Sequence, residues 1–327
     1  MFRQWFGIGV LAAGLSVAAA GAFAQSPKSM PRIGILGMDS KLQADRFAAF
    51  YDGMRALGYV DGKSVVYEYR SAEGRFDRLP ALAAELVALK VDIIFTAGPP
   101  AVRAAHQATT TIPIVVGAIH NPVGQGIAEN LARPGGNVTG LAFQDEDLST
   151  KRIDFLRQAV PGLTKLALIW NSVEGTLDRS LLQVEAAARS SGIQVKVFEI
   201  RQPGDFAIAI ADARAWGANG VLQLASPFIN MHRKLMVEQL RVHRLPATCE
   251  DRRYVADGCL MAYGPSLDAM FRRAAWYADR ILKGANPATL AIEQPREFEF
   301  VINRKTADAL GLTIPKPLEF QMTEPFL

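Results

Sequence analysis

Cysteine is scarce in this chain: Cys249 and Cys259 are the two in 327 residues. So low a content excludes a disulfide-dense scaffold. Histidine is almost as rare, and His106, His120, His232 and His243 with the two cysteines match no zinc spacing. Charge of one sign is not concentrated: the formal net charge is +4 with no long basic run, which argues against a nucleic-acid partner. One long apolar stretch occurs, at the extreme N-terminus, so a multi-span permease or channel is excluded. Reaction motifs are missing too. There is no G-x-x-x-x-G-K-[ST] phosphate loop, no G-x-S-x-G elbow and no H-E-x-x-H pair. The nearest approach to a dinucleotide fingerprint, Gly124-Gln125-Gly126-Ile127-Ala128-Glu129, lacks its third glycine. No catalytic residue, metal or cofactor is therefore assigned, and the chain is not expected to be an enzyme.

What is present is ordinary globular material, 50% apolar and 21% charged, at a length that suits about two domains. The N-terminus is distinctive. Arg3 is followed by an apolar stretch from Trp5 to Ala20 and then by Ala22-Phe23-Ala24. A positive start, an apolar centre and an A-x-A site describe a secretory signal peptide over 1–24, cleaved before Gln25. No cysteine follows that could take a lipid, so a soluble periplasmic protein is expected. In an oxidising compartment Cys249 and Cys259 either pair or stand as two small core residues, and the sequence leaves both open.

The remainder alternates strand and helix. Short apolar runs at 32–37, 65–69, 92–98, 112–118 and 138–143 predict strands. Between them, helical spacing appears at 45–57, with Phe47, Phe50, Met54 and Leu57. It recurs at 79–89, with Leu79, Leu82, Leu86 and Leu89 behind Asp77 as N-cap, at 101–108, and in a short piece near 126–131. A second cycle predicts helices at 150–160, 177–190, 206–216 and 229–243, with strands at 165–170, 194–200, 220–225 and 245–249. Segments 92–116 and 220–249 resemble each other, each running strand, proline turn, helix and an apolar-Pro entry to the next strand. Alternation of this kind implies an α/β fold with parallel sheets covered on both faces. One sheet of ten or more parallel strands is improbable, so two doubly wound lobes fit better.

In such lobes ligands bind outside the carboxyl ends of the strands. The residues there are Met38 and Asp39, then Gly98, Pro99 and Ala101, then His120 and Asn121, and in the second half Asn171, Ser226, Glu250 and Asp251. Small residues, amides, hydroxyls and acids suit a small solute with polar ends. Backbone N–H groups where a helix starts suit a carboxylate. Pro99 and Pro100 have no N–H, so Ala101 or a later residue must donate.

Several blocks carry a resemblance. They are Glu73-Gly74-Arg75-Phe76-Asp77-Arg78-Leu79-Pro80, Ala132-Arg133-Pro134-Gly135-Gly136-Asn137-Val138-Thr139-Gly140, Met261-Ala262-Tyr263-Gly264-Pro265-Ser266 and Lys305-Thr306-Ala307-Asp308-Ala309-Leu310-Gly311-Leu312-Thr313-Ile314-Pro315. Together they resemble the ABC-transporter substrate-binding proteins of the tryptophan/tyrosine type, across 31–317. The resemblance implies a type I periplasmic binding protein fold, with two doubly wound parallel-sheet lobes and a ligand cleft between them. Lobe one would be 31–140 plus 260–296, and lobe two 141–259 plus 297–327. Crossings are implied at 138–143, 260–263 and 298–302. Phe143 and Tyr263 would then lie near the hinge, where Tyr263 is the better ligand contact because its hydroxyl needs a partner. The pattern departs at His120-Asn121, where an acidic residue often precedes the proline, and at Cys259, where glycine is usual. Glu250 or Asp251 is the expected replacement for holding a ligand ammonium. The implied function is capture of an amino acid or of an aromatic or carboxylated metabolite, and delivery to an inner-membrane ABC permease by a monomeric receptor. An exported α/β enzyme would need a nucleophile or metal set that is missing. A sensor for a membrane signalling partner would need a kinase-linked module that is missing too.

Overall fold

Side chains in the short strands alternate between two faces, and this sets the layering. In β1 (Arg32–Gly37), Ile33 and Ile35 enter one core and Leu36 the other. The computed structural model describes residues 30–38, 40–143, 146–172 and 177–325. The expected signal peptide and Asp39 lie outside the described residues, as does the side chain of Phe143.

Two sheets result. The first contains β1, β2 (Val66–Ser71), β3 (Ile93–Thr96), β4 (Ile114–His120) and β5 (Val138–Phe143), in the order β2-β1-β3-β4-β5. The second contains β6 (Lys165–Trp170), β7 (Gln194–Glu199), β8 (Gly220–Gln223), β9 (Ala247–Cys249), β10 (Met261–Pro265) and β11 (Phe298–Ile302), in the order β11-β10-β9-β8-β6-β7. Five strands of each sheet share one topology, which accounts for the likeness of 92–116 to 220–249. Each sheet has an apolar core on both faces.

Helices α1 (Ser40–Ala56), α2 (Leu79–Ala88) and α3 (Pro99–Ala108) cover the first sheet. The second carries α4 (Glu146–Ala159), α5 (Leu177–Ser190), α6 (Asp205–Trp216), α7 (Pro227–Met231), α8 (Arg233–Val242) and α9 (Arg252–Asp257). The chain then returns: α10 (Leu267–Leu282) packs on α1 in lobe one. Phe47, Phe95 and Phe271 meet there edge to face, and Phe50 stacks on Phe95. Each such buried ring contributes about 1.5–3 kcal/mol. Helices α11 (Arg304–Leu310) and α12 (Lys316–Glu319) finish the described chain.

Differences from the sequence reading have local causes. No helix forms near 126–131, where the chain turns instead. Asn121 takes a positive φ of 35° and its Oδ1 accepts from the Gly124 N–H. The expected helix over 229–243 starts earlier, at α7, where Ser226 accepts the Ile229 N–H, and is divided at His232 from α8. Strand β11 runs antiparallel to β10, since it comes back from the other lobe rather than through a βαβ crossover. Strand pairing also moves the expected lobe limits. All of β5 pairs with β4 in the first sheet, and β10 pairs with β9 in the second. Cys249 and Cys259 form a disulfide, with their Cα atoms 6.9 Å apart.

Candidate functional site

The strand order reverses between β1 and β3 in one lobe and between β6 and β8 in the other. Crevices open at such switch points. Met38 and Gly98 flank the first, Asn171 and Ser226 the second. These two crevices meet. Gly98, the N-cap of α3, has a φ of +85°, and a Cβ there would stand 2.7 Å from Met38 Cε and 3.3 Å from Pro227 Cγ in the other lobe. Only glycine combines that backbone with that approach. A second contact lies beside it, where a Cβ on Gly74 would reach Met231 Sδ at 3.3 Å.

The predicted residues divide by how their polar atoms are used. Ser226 is buried as the cap of α7 and its oxygen accepts from Ile229, which leaves its proton available to donate. Asn171 is buried at the end of β6. Glu250 is half-buried: its N–H donates to Gln223 Oε1 at 3.0 Å and its Oε1 accepts from Asn230 Nδ2 at 2.9 Å. Pro99 and Ala101 are buried at the start of α3, where Ala101 is the first residue with an N–H. His120 and Phe143 are register partners at the ends of β4 and β5, and the His120 carbonyl accepts from Gln125 Nε2.

Two of the expected residues also hold the local structure. Asp251, the alternative to Glu250 for the ammonium, is the N-cap of α9, accepting the Arg253 N–H at 2.8 Å and pairing with the Arg253 guanidinium at 3.1 Å. Asn121 spends its amide oxygen on its own turn. Tyr263 is partly committed as well: its ring meets Phe155 edge to face at 5.2 Å and stacks on Phe298 at 6.0 Å. Burial pushes its phenol up, while the charge of Arg152 works the other way.

Asn230 and Arg152 escaped the sequence reading. Asn230 lies inside an apolar helix pattern, yet it is buried and holds Glu250. Arg152 shares the buried face of α4 with Leu148, Phe155 and Ala159, so its signal was a charge at an apolar position. Its Nε donates to the Tyr263 carbonyl at 2.6 Å. Among the described residues no group of three or more His, Cys, Asp or Glu is placed to hold a metal, and no helix is long and apolar enough to cross a membrane.

A cleft of this construction matches known proteins. The model of the ABC transporter substrate binding protein family fits residues 36–324. This chain belongs to that family. Among relatives of this substrate-binding protein, a tyrosine-binding protein of Clostridioides difficile is 24% identical over 264 residues, covering 80% of this chain and 75% of the relative. An ABC domain from Streptococcus pneumonia, solved in complex with L-Trp, superposes with a TM-score of 0.84 at 22% identity, over 90% of this chain and 99% of its own. The ligand-free, open structure of a Clostridium difficile substrate binding protein with adhesive properties gives a TM-score of 0.67 at 19% identity, over 88% and 96%. The fold is thus that of the bilobal binding proteins, and the family consists of binding proteins rather than enzymes.

Proposed function

We propose that this substrate-binding protein works in the periplasm after cleavage at Ala24. There it encloses an amino acid or an aromatic or carboxylated metabolite between its lobes and passes it to an inner-membrane permease. The observation that carries this reading is the meeting of two switch-point crevices, Met38 and Gly98 against Pro227, beside the buried polar groups of Asn171, Ser226 and Asn230 and the half-buried Glu250. The tyrosine and L-Trp named for its relatives are the first solutes to try. Glu250 takes the ammonium, and the lobes close about the crossings near Phe143, Tyr263 and Ser266 by hinge motion.

Native mass spectrometry of protein secreted by its own host tests the reading directly. The expected spectrum is a chain starting at Gln25 with a small solute bound. Retention of 1–24 would overturn the periplasmic part. Absence of any solute, together with no heat of binding for L-tyrosine, L-tryptophan or a panel of small carboxylates, would overturn the receptor part.

A further inference from the structure

Arg152 is 1% exposed, in the first half of α4. Its Nε holds the Tyr263 carbonyl, but Nη1 is buried without a hydrogen-bond partner. None of the ion pairs among the described residues includes it. The Glu250 carboxylate, which follows β9, turns its Oε1 to Asn230. Nη2 lies against the end of β10, where a Cβ on Gly264 would be 3.3 Å from it and 2.1 Å from the Glu250 carbonyl. One helical turn earlier Ser149 is 2% exposed, and its hydroxyl is also without a partner. Thr248 repeats the pattern. It pairs with Leu222 and Met261, whose side chains share the core under α4, and its hydroxyl is unpartnered.

Arginine side chains keep their proton in proteins. A buried charge with no counter-ion is strongly destabilising, and buried unpaired hydroxyls add to that cost. Such a group is stable when something brings the opposite charge. Helix α4 runs away from the carboxyl edge of the second sheet, so its first half, with Ser149 and Arg152, stands where the strand ends open. The alternative carboxylate site, the start of α3, offers fewer donors because Pro99 and Pro100 have none.

We propose that Arg152 is the residue that holds an acidic group of the solute, a carboxylate set between its guanidinium and the Ser149 hydroxyl. This rests on the receptor reading and deepens it. One guanidinium among neutral hydroxyls balances a single negative charge, which favours a carboxylate over a phosphate carrying nearly two.

The experiment uses protein stripped of solute by unfolding and refolding. Arg152→Met should then melt at the wild-type temperature or above it, because a buried charge has been removed. A fall of more than about 5 °C would show a structural tie and overturn the proposal. Calorimetry with L-tyrosine, L-tryptophan and their carboxamides supplies the second arm. For whichever acid the wild type binds, Arg152→Met and the carboxamide should each lose about 100-fold, and Arg152→Lys less. Equal binding of acid and amide, or unchanged binding by Arg152→Met, would overturn it. If neither amino acid binds, the solute carried by the host-purified protein decides. An acidic solute lost from Arg152→Met supports the proposal. A solute without an acidic group overturns it while leaving the receptor reading intact, and no solute at all removes both.

Discussion

Single residues at the cleft fail in different ways, and the difference is measurable. Gly98→Ala meets two obstacles, a positive φ and the approach of Pro227 from the opposite lobe. Strain of this kind costs about 1–3 kcal/mol. Since Pro227 belongs to the other lobe, part of that cost falls on the state with the lobes in contact. Solute affinity measured by calorimetry should therefore drop roughly tenfold, beyond the loss in urea midpoint. The two neighbouring acids separate just as clearly. Asp251→Ala removes a cap and leaves Arg253 half-buried without its partner, so the melting temperature should fall whether or not solute is present. Glu250→Gln keeps an acceptor for Asn230, so the fold should hold while affinity for an ammonium-bearing solute weakens by about 2 kcal/mol. Loss of stability without loss of affinity in Glu250→Gln would assign that carboxylate to the fold alone.

Short elements carry much of the site. Helix α7 has five residues, too few to be stable alone, and depends on Ser226 at one end and on the Asn230–Glu250 bond at the other. Helix α9, with six residues, depends on Asp251 and on the disulfide that spans it. The bridge closes ten residues, and a loop of that size is worth about 2–3 kcal/mol. Reduction with dithiothreitol should lower the melting temperature by several degrees, and Cys249→Ala/Cys259→Ala should reproduce it. An unchanged melt on reduction would show that the two sulfurs only pack. This region was also the least legible in sequence. Neither α7 nor α9 is long enough to display a period, and both are defined by side chains capping backbone. By contrast β5 and β6 end where their apolar runs end, as expected.

Across the whole molecule, the last crossing between lobes carries two acids with opposite pH behaviour. Glu293 joins the edge of β5 through its backbone and receives two bonds from Arg273, at 3.0 and 2.6 Å. Arg273 in turn lies over Trp276 at 3.9 Å. These donors hold the Glu293 carboxyl below the usual range. Its stabilising effect is present above the unfolded-state value and is lost as pH falls through the folded one. Glu299 is the reverse. Burial raises it, and the Ser266 hydroxyl at 2.7 Å only partly offsets the rise. Its stabilising effect is complete below the unfolded-state value and is lost as pH rises through the folded one. Urea midpoints between pH 3 and pH 7 should show Glu293→Gln less stable near neutrality and less sensitive to acid. Glu299→Gln should be as stable as wild type or more so near neutrality, with the gap closing in acid. Because Ser266 also donates its N–H to the Glu297 carbonyl at 2.9 Å, this cluster ties the second and third crossings together. A shift in solute affinity in Glu299→Gln would show that the tie resists or aids closure.

The sequence by itself determined the alternation of elements, the split into two lobes and the places where strands end. Those properties follow from local periodicity and turn chemistry, which each segment carries whatever surrounds it. Only the tertiary structure decided what each polar side chain does there. Glu250 and Asp251 are adjacent and alike in sequence, yet one faces Asn230 and the other caps a helix. Asn121 stands at a strand end in sequence, and its amide oxygen also holds a turn by accepting the Gly124 N–H. Arg152 looks like one cation in an amphipathic helix, and its meaning depends on an Nη1 left without a hydrogen-bond partner once α4 is laid against β10. Such outcomes depend on distances between residues far apart in the chain, and no local pattern encodes them.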